Sequence, residues 1–241
     1  MNDELTIVGW PGIALPLPVH ARWRYRLDEE GTVRGEPLPR VTKAPPGDTC
    51  LRLAELDLED PEAVLQFLNH VGAPVDLLST SHTLEDVARL VQPVRDAVTA
   101  WRVLAGDPPP TDAELAATGF VGHEEPQLRR HAAELLSTTL AQALRPLHPV
   151  VWLGYGPQDP ELASARDISL ATLCFAEIHR HVVDRASYRR CLNESCGRLF
   201  AADAAEAKSG RRRSLYCSRA CAHAQAQREF RRRRAQSSAP S

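Results

Sequence analysis

Two close cysteine pairs, Cys191/Cys196 and Cys217/Cys221, constrain the fold of this chain more than any other feature of it. Each pair is short enough for one backbone turn to aim both thiolates at a single ion, and twenty residues separate the pairs. Zinc favours four such ligands, because it is a borderline-soft ion that demands little beyond tetrahedral packing. The C-x4-C and C-x3-C spacings therefore predict one closed, structural Zn2+ site with Cys191, Cys196, Cys217 and Cys221 as ligands. A disulfide framework would need an oxidising compartment, and the opening stretch MNDELTIVGWPG lacks the basic and apolar regions of a secretory signal. A redox or catalytic thiol pair would not need four cysteines. His223 is the rival to Cys221 as fourth ligand, but Cys221 already fills the position, and His223 reads as a solvent-facing helix residue.

The residues around the ligands predict how such a site is built. Gly197, directly after the second cysteine, suits a tight positive-φ turn. Leu199-Phe200 and Ser214-Leu215-Tyr216 read as two short strands on either side of a polar loop. Ser218 reads as the N-cap of a helix that carries the last two ligands at its start. Knuckle, hairpin and helix describe a treble-clef-like finger over residues 188–234. On the string Cys191-x4-Cys196-Gly197-Arg198-Leu199-Phe200, the arginine run and Tyr216-Cys217-Ser218-x2-Cys221, the stretch resembles the CGNR-type zinc finger. That family comprises bacterial transcriptional regulators whose finger ends an otherwise helical chain, so the resemblance implies DNA binding and transcription regulation. The chain departs from it at the name-giving tetrad, where Cys221-Ala222-His223-Ala224 stands, and in a body whose first fifty residues look additional.

A formal net charge of −2 hides a strong asymmetry. Residues 185–234 carry fourteen Arg and Lys against four acidic residues; the rest of the chain carries fifteen basic and 27 acidic ones. Such polarity is the footprint of a nucleic-acid-binding module joined to an acidic body. Arg211, Arg212 and Arg213 would sit on the finger's hairpin. Arg219, Arg228, Arg231, Arg232, Arg233 and Arg234 decorate the final helix, and their planar, permanently charged forks suit phosphate oxygens and guanine edges. Gln225, Gln227 and Arg228 are the candidates for base contacts. The opposing readings take the arginines as solvated, as docked on the acidic body, or as a dock for RNA or an acidic protein, with zinc as a structural staple.

At 241 residues and 43% hydrophobic, the chain can bury one core of good size plus a small satellite. No apolar run approaches the roughly twenty residues that span a bilayer, and cysteine usage is that of a reducing cytoplasm. Residues 1–50 are rich in Pro and Trp. Residues 19–27 alternate, Asp28-Glu29-Glu30-Gly31 reads as a turn and Thr32-Val33-Arg34 as the return, a β-hairpin expected to pack on a helical body over residues 51–187. Trp10, Trp23 and Tyr25 read as core or interface aromatics rather than a ligand-stacking face.

Within the body, Asp60 caps a helix with Pro61 at its first position and Gly72 at its end. Thr83 opens a second helix to Ala105, with Pro93 as a kink. Thr111 and Glu114 have capping-box spacing, and residues 125–144 keep leucines at helical spacing. The apolar run 150–156 reads as a strand or a pocket edge. A last body helix over 162–186 would lead almost directly into Cys191 and couple finger and body rigidly; residues 235–241 read as a disordered tail.

No phosphate loop, HExxH or nucleophile elbow is present. The best polar cluster, His179, His181 and Asp184, reads as a surface pairing at i,i+3 spacing rather than a catalytic pair. Cys50 and Cys174 read as small buried hydrophobes. The chain is thus expected to be mainly α, non-enzymatic, bacterial and cytoplasmic, its acidic body sensing a small-molecule effector or forming a homodimer.

Overall fold

In a computed structural model of the chain, residues 19–43, 48–76, 78–105, 108–120, 122–145, 168–202 and 215–237 are described. Trp10, the run 150–156 and Arg211 to Arg213 lie outside these residues. The alternating segment forms β1 (Val19–Leu27), which pairs antiparallel with β2 (Val33–Lys43). Asp28 closes the turn by accepting from the backbone N–H groups of Glu30 and Thr32. Trp23 and Tyr25 share one face, their rings stacked with centroids 6.4 Å apart. Gly35 lies opposite Tyr25, and a Cβ there would come within 2.7 Å of that ring, so only glycine fits beneath the pair. The Tyr25 hydroxyl donates to the Ala73 carbonyl at 2.7 Å and accepts from Val75 N–H at 2.9 Å. Tyr25 is therefore a core anchor whose polar tip is satisfied, as a buried tyrosine requires.

Helix α1 (Thr49–Ala54), which has no sequence signal comparable to the others, carries the fully buried Cys50 into the core. Helix α2 (Pro61–Val71) begins and ends as its sequence dictates. Asp60 accepts from Glu62 and Ala63 N–H, Pro61 takes the first position, and Gly72 ends the helix in the left-handed region at φ 66°. A two-residue strand, β3 (Ser81–His82), adds to the edge of β2. Helix α3 (Leu84–Ala105), with Pro93 inside it, is the spine, and α1, α5 (Glu125–Ala143) and α6 (Leu170–Val183) pack against it. The short α4 (Asp112–Ala117) has the Thr111/Glu114 capping box.

Helix α6 is shorter than the 162–186 expected. Ser169 caps it by accepting from Thr172 N–H, which places the start at Leu170. At the other end Ala186 N–H reaches the His181 carbonyl and Arg185 N–H the Val182 carbonyl, the paired bonds of a Schellman turn. Arg185 holds the left-handed position at φ 51°, where glycine is usual.

Two strands follow, and their pairing differs from the expectation. β5 (Leu199–Ala202) pairs antiparallel with β4 (Ser187–Arg190), the segment before the first cysteine. Leu215 and Tyr216 form no strand. Tyr188 explains the choice: it alternates into the body core, fully buried, and brings the strand with it. The sheet thus has two faces. Tyr188, Leu199 and Ala201 pack on the body cluster, whereas Phe200 and Ala202 pack with the cysteines. The final helix, α7 (Arg219–Ser237), continues into the segment expected to be a tail. No described helix is long and apolar enough to cross a membrane.

Candidate metal centre and its helix

The knuckle that presents the first two cysteines is held by its own backbone. Cys196 N–H and Gly197 N–H both donate to the Asn193 carbonyl, and Cys191 N–H donates to the Arg198 carbonyl at 2.9 Å. Gly197 has φ 56°, the positive value its place after the second cysteine predicts. Leu192 N–H donates to the Leu215 carbonyl and so ties the knuckle to the returning chain just before Cys217. Ser218 then caps α7, its Oγ accepting from Cys221 N–H at 3.2 Å. Cys217 precedes the helix, Cys221 lies in its first turn, and both reach the same point.

The four Sγ atoms lie within 4.8 Å of one another and could hold a metal ion. Cys196 and Cys217 have their sulfurs 3.7 Å apart, Cys217 and Cys221 theirs 3.5 Å apart. A disulfide needs about 2 Å, and all four thiols are free. Four sulfurs at about 2.3 Å from a central ion stand about 3.8 Å from each other. The Cys196–Cys217 and Cys217–Cys221 separations are close to that spacing. Burial first, then hydrogen bonds among the thiols, push Cys217 up to about 12. The Asn193 side chain, then Ser218, draw Cys221 down to about 6. Arg198 donates to Cys217 Sγ at 3.6 Å and places a positive charge beside the sulfur cluster. Such surrounding donors orient ligands and offset the charge of a thiolate set.

The inner face of α7 is committed to the knuckle. Gln225, 6% exposed, accepts from Glu194 N–H and donates to the Glu194 and Glu229 carboxylates. Arg228 donates to Ser195 Oγ at 2.9 Å and to Asn193 Oδ1. Arg232 forks onto Glu194 with bonds of 2.8 and 2.6 Å and holds that carboxyl below its ordinary range. Gln225 is thus a packing residue rather than a base contact, the half-buried Arg228 is bonded to the knuckle, and Arg232 is exposed but paired with Glu194. Arg219, Arg231, Arg233 and Arg234 are exposed. His223 is exposed too, its ring bonded to Gln227 rather than turned to the sulfurs.

Sequence reasoning missed Asn193, Glu194 and Arg198. The signals for them were an Asn-x-Ser run inside the C-x4-C loop and an arginine directly after the knuckle glycine.

A second polar group lies across the hairpin in the body. Glu177 accepts from Cys50 N–H at 2.6 Å, and His181 Nδ1 lies 3.0 Å from the Tyr188 hydroxyl and 4.0 Å from Cys50 Sγ. Burial raises the Glu177 carboxyl above its usual range. His181 is 3% exposed, whereas Asp184 is exposed, so the two form no surface pair. Asp184 keeps helical dihedrals as the C-cap, while His181 points into the core and meets the Tyr188 hydroxyl. Cys50 and Cys174 are both fully buried, and burial pushes both thiols up.

Finger and body also meet through one carboxylate. Glu55, at the end of α1, accepts from Arg190 Nη1 at 2.8 Å and from Leu199 N–H at 3.0 Å, so it grips both strands of the hairpin. Comparison with protein-family models, with curated proteins and with solved structures finds no match to this chain.

Proposed function

We propose that the chain is a DNA-binding protein, a transcriptional regulator, in which Cys191, Cys196, Cys217 and Cys221 hold one structural Zn2+ in a treble-clef-like finger. One observation carries the reading. The sulfur quartet sits at the start of α7, whose inner face is bonded to the knuckle while its outer side carries exposed Arg219, Arg231, Arg233 and Arg234. Zinc suits a closed all-thiolate set, and its role there is structural. Arginines on a helix fixed in this way are positioned for phosphates. The body supports a sensing role: a cleft of about 440 Å3, lined in part by Glu55, Arg95, Asp96, Arg102, Glu114 and Arg190, opens where α1, α3 and α4 meet the hairpin. That volume is within the range of small-molecule sites.

The test is fluorescence anisotropy of a labelled duplex titrated with the zinc-loaded full chain at rising salt. Each phosphate neutralised lowers the log–log slope by about 0.9, so four exposed arginines predict a slope near −4. Absence of binding at low salt, or binding indifferent to salt, overturns the reading.

A further inference from the structure

Phe230 is 61% exposed on a helix otherwise dressed in cations, and no core contact among the described residues accounts for it. Its neighbours along the helix give it a setting. Arg219, His223, Gln227, Phe230 and Arg234 follow at intervals of four, four, three and four, which is one continuous stripe on an α-helix. All five are exposed. The stripe lies on the far side of α7 from Gln225, Arg228 and Arg232, which are bonded to the knuckle. Arg231 flanks it on one side and Arg233 on the other.

The stripe is organised from its ends inward. Arg219 and Arg234 are separated by about 22 Å of helix, more than the ~12 Å width of the B-DNA major groove. With the helix in that groove, the terminal arginines meet the two phosphate backbones, and the centre of the stripe meets base edges. The centre is Gln227 and Phe230, one turn apart. Gln227 Nε2 lies 2.9 Å from His223 Nε2, so one amide hydrogen is given to the imidazole. When the hydrogen anti to Oε1 is the one given, the syn hydrogen and Oε1 stay together on one edge, the donor–acceptor pair that matches adenine N7 and N6–H. His223 is a positioning residue in this arrangement. A phenyl ring beside that amide has an apolar counterpart in the groove in the C5-methyl of thymine.

Building on the DNA-binding reading above, we propose that the outer stripe of α7 reads adjacent A·T pairs in the major groove, Gln227 by two hydrogen bonds to adenine and Phe230 by contact with a thymine methyl group. The occupant is duplex DNA, because alternating phosphate-binding ends and a base-reading centre on one rigid helix match a groove rather than an acidic protein surface.

The experiment is selection of bound fragments from a random duplex library by the zinc-loaded full chain, repeated with Gln227→Ala and Phe230→Ala. Both side chains lie outside the two hydrophobic clusters, so metal content and helicity should equal those of the parent, which is checked first. The parent should enrich neighbouring A·T pairs, and Gln227→Ala should lose about ten-fold or more of that preference. Replacing thymidine by deoxyuridine in the enriched site should weaken the parent several-fold and leave Phe230→Ala unaffected. Variants that select the same sequence as the parent, or a parent that retains duplexes without enrichment, overturn the inference and leave DNA binding standing. A parent that retains no duplex at low salt overturns DNA binding itself.

Discussion

The body and the finger share one β-hairpin but are held together by different physics. On the body side the β4–β5 hairpin meets a large apolar cluster in which Leu51, Leu68, Val91, Leu173 and Ile178 are almost wholly buried. On the other side, among the described residues, the buried apolar cluster holds only Cys191, Phe200 and Ala202. Burying a phenyl ring contributes on the order of 3 kcal/mol. Ordering a segment costs about 1–2 kcal/mol for every residue fixed, and α7 alone has 19 residues. Apolar burial is thus plentiful in the body and sparse among the described residues of the finger, where the proposed ion would join the four sulfurs. The same strand serves a large apolar core and a small one lined by cysteines.

The largest break in that comparison comes from removing one ligand. Cys217→Ser should lose the proposed ion almost completely, because metal binding supplies most of the folding energy of so small a module. Metal analysis should show near-zero stoichiometry, and circular dichroism should show loss of α7 with a body transition shifted little. Equal metal content in parent and variant would refute the site.

A pair of substitutions on adjacent residues sharpens the contrast. Leu199 is 2% exposed on the body face, so Leu199→Ala should cost about 2–5 kcal/mol of body stability in thermal melts while metal content stays near that of the parent. Phe200→Ala should do the reverse, weakening retention against a chelator with a smaller change in the body transition. Equal effects from both would mean that the two faces are not energetically separate.

The smallest effect concerns the charge buried on the body side. A carboxyl raised by burial binds its proton more readily folded than unfolded, so it lends stability at low pH that is lost as pH climbs from the ordinary carboxylate value through the raised one. Glu177→Gln keeps an oxygen for Cys50 N–H and removes the charge. Melting temperatures of parent and variant from pH 8 down to 5 should show the parent gaining a few degrees relative to the variant on acidification. Metal release at low pH acts on both proteins and cancels in the difference. Parallel curves would show that Glu177 does not titrate in this window.

Elements with local chemical punctuation were legible in the sequence. Asp60 with Pro61 and Gly72, the Thr111/Glu114 box, the Asp28–Gly31 turn, Gly197 and Ser218 each satisfy backbone groups within a few residues, and each is found where expected. The pairing of β4 was not legible, because it depends on Tyr188 finding a body core assembled from α1, α3 and α6, far away in sequence. His181 failed for a similar reason: spacing on a helix shows which residues could meet, but not which side the next element will cover. The direction of α7 was the third gap. Gln225 and Arg228 look like any polar helix residues until Glu194 and Asn193 are placed beneath them.

The hairpin that turns one face to each core also bears on how such a protein can be inherited. A finger cut out at residue 188 would carry Tyr188 and Leu199 as exposed apolar surface, and a body cut at 187 would have a hole where they had been. Neither half has a clean boundary. Recombination that shuffles portable modules between genes would damage both, so body and finger should descend together as one lineage, diverging at loops and at the outer side of α7 rather than by exchange of parts.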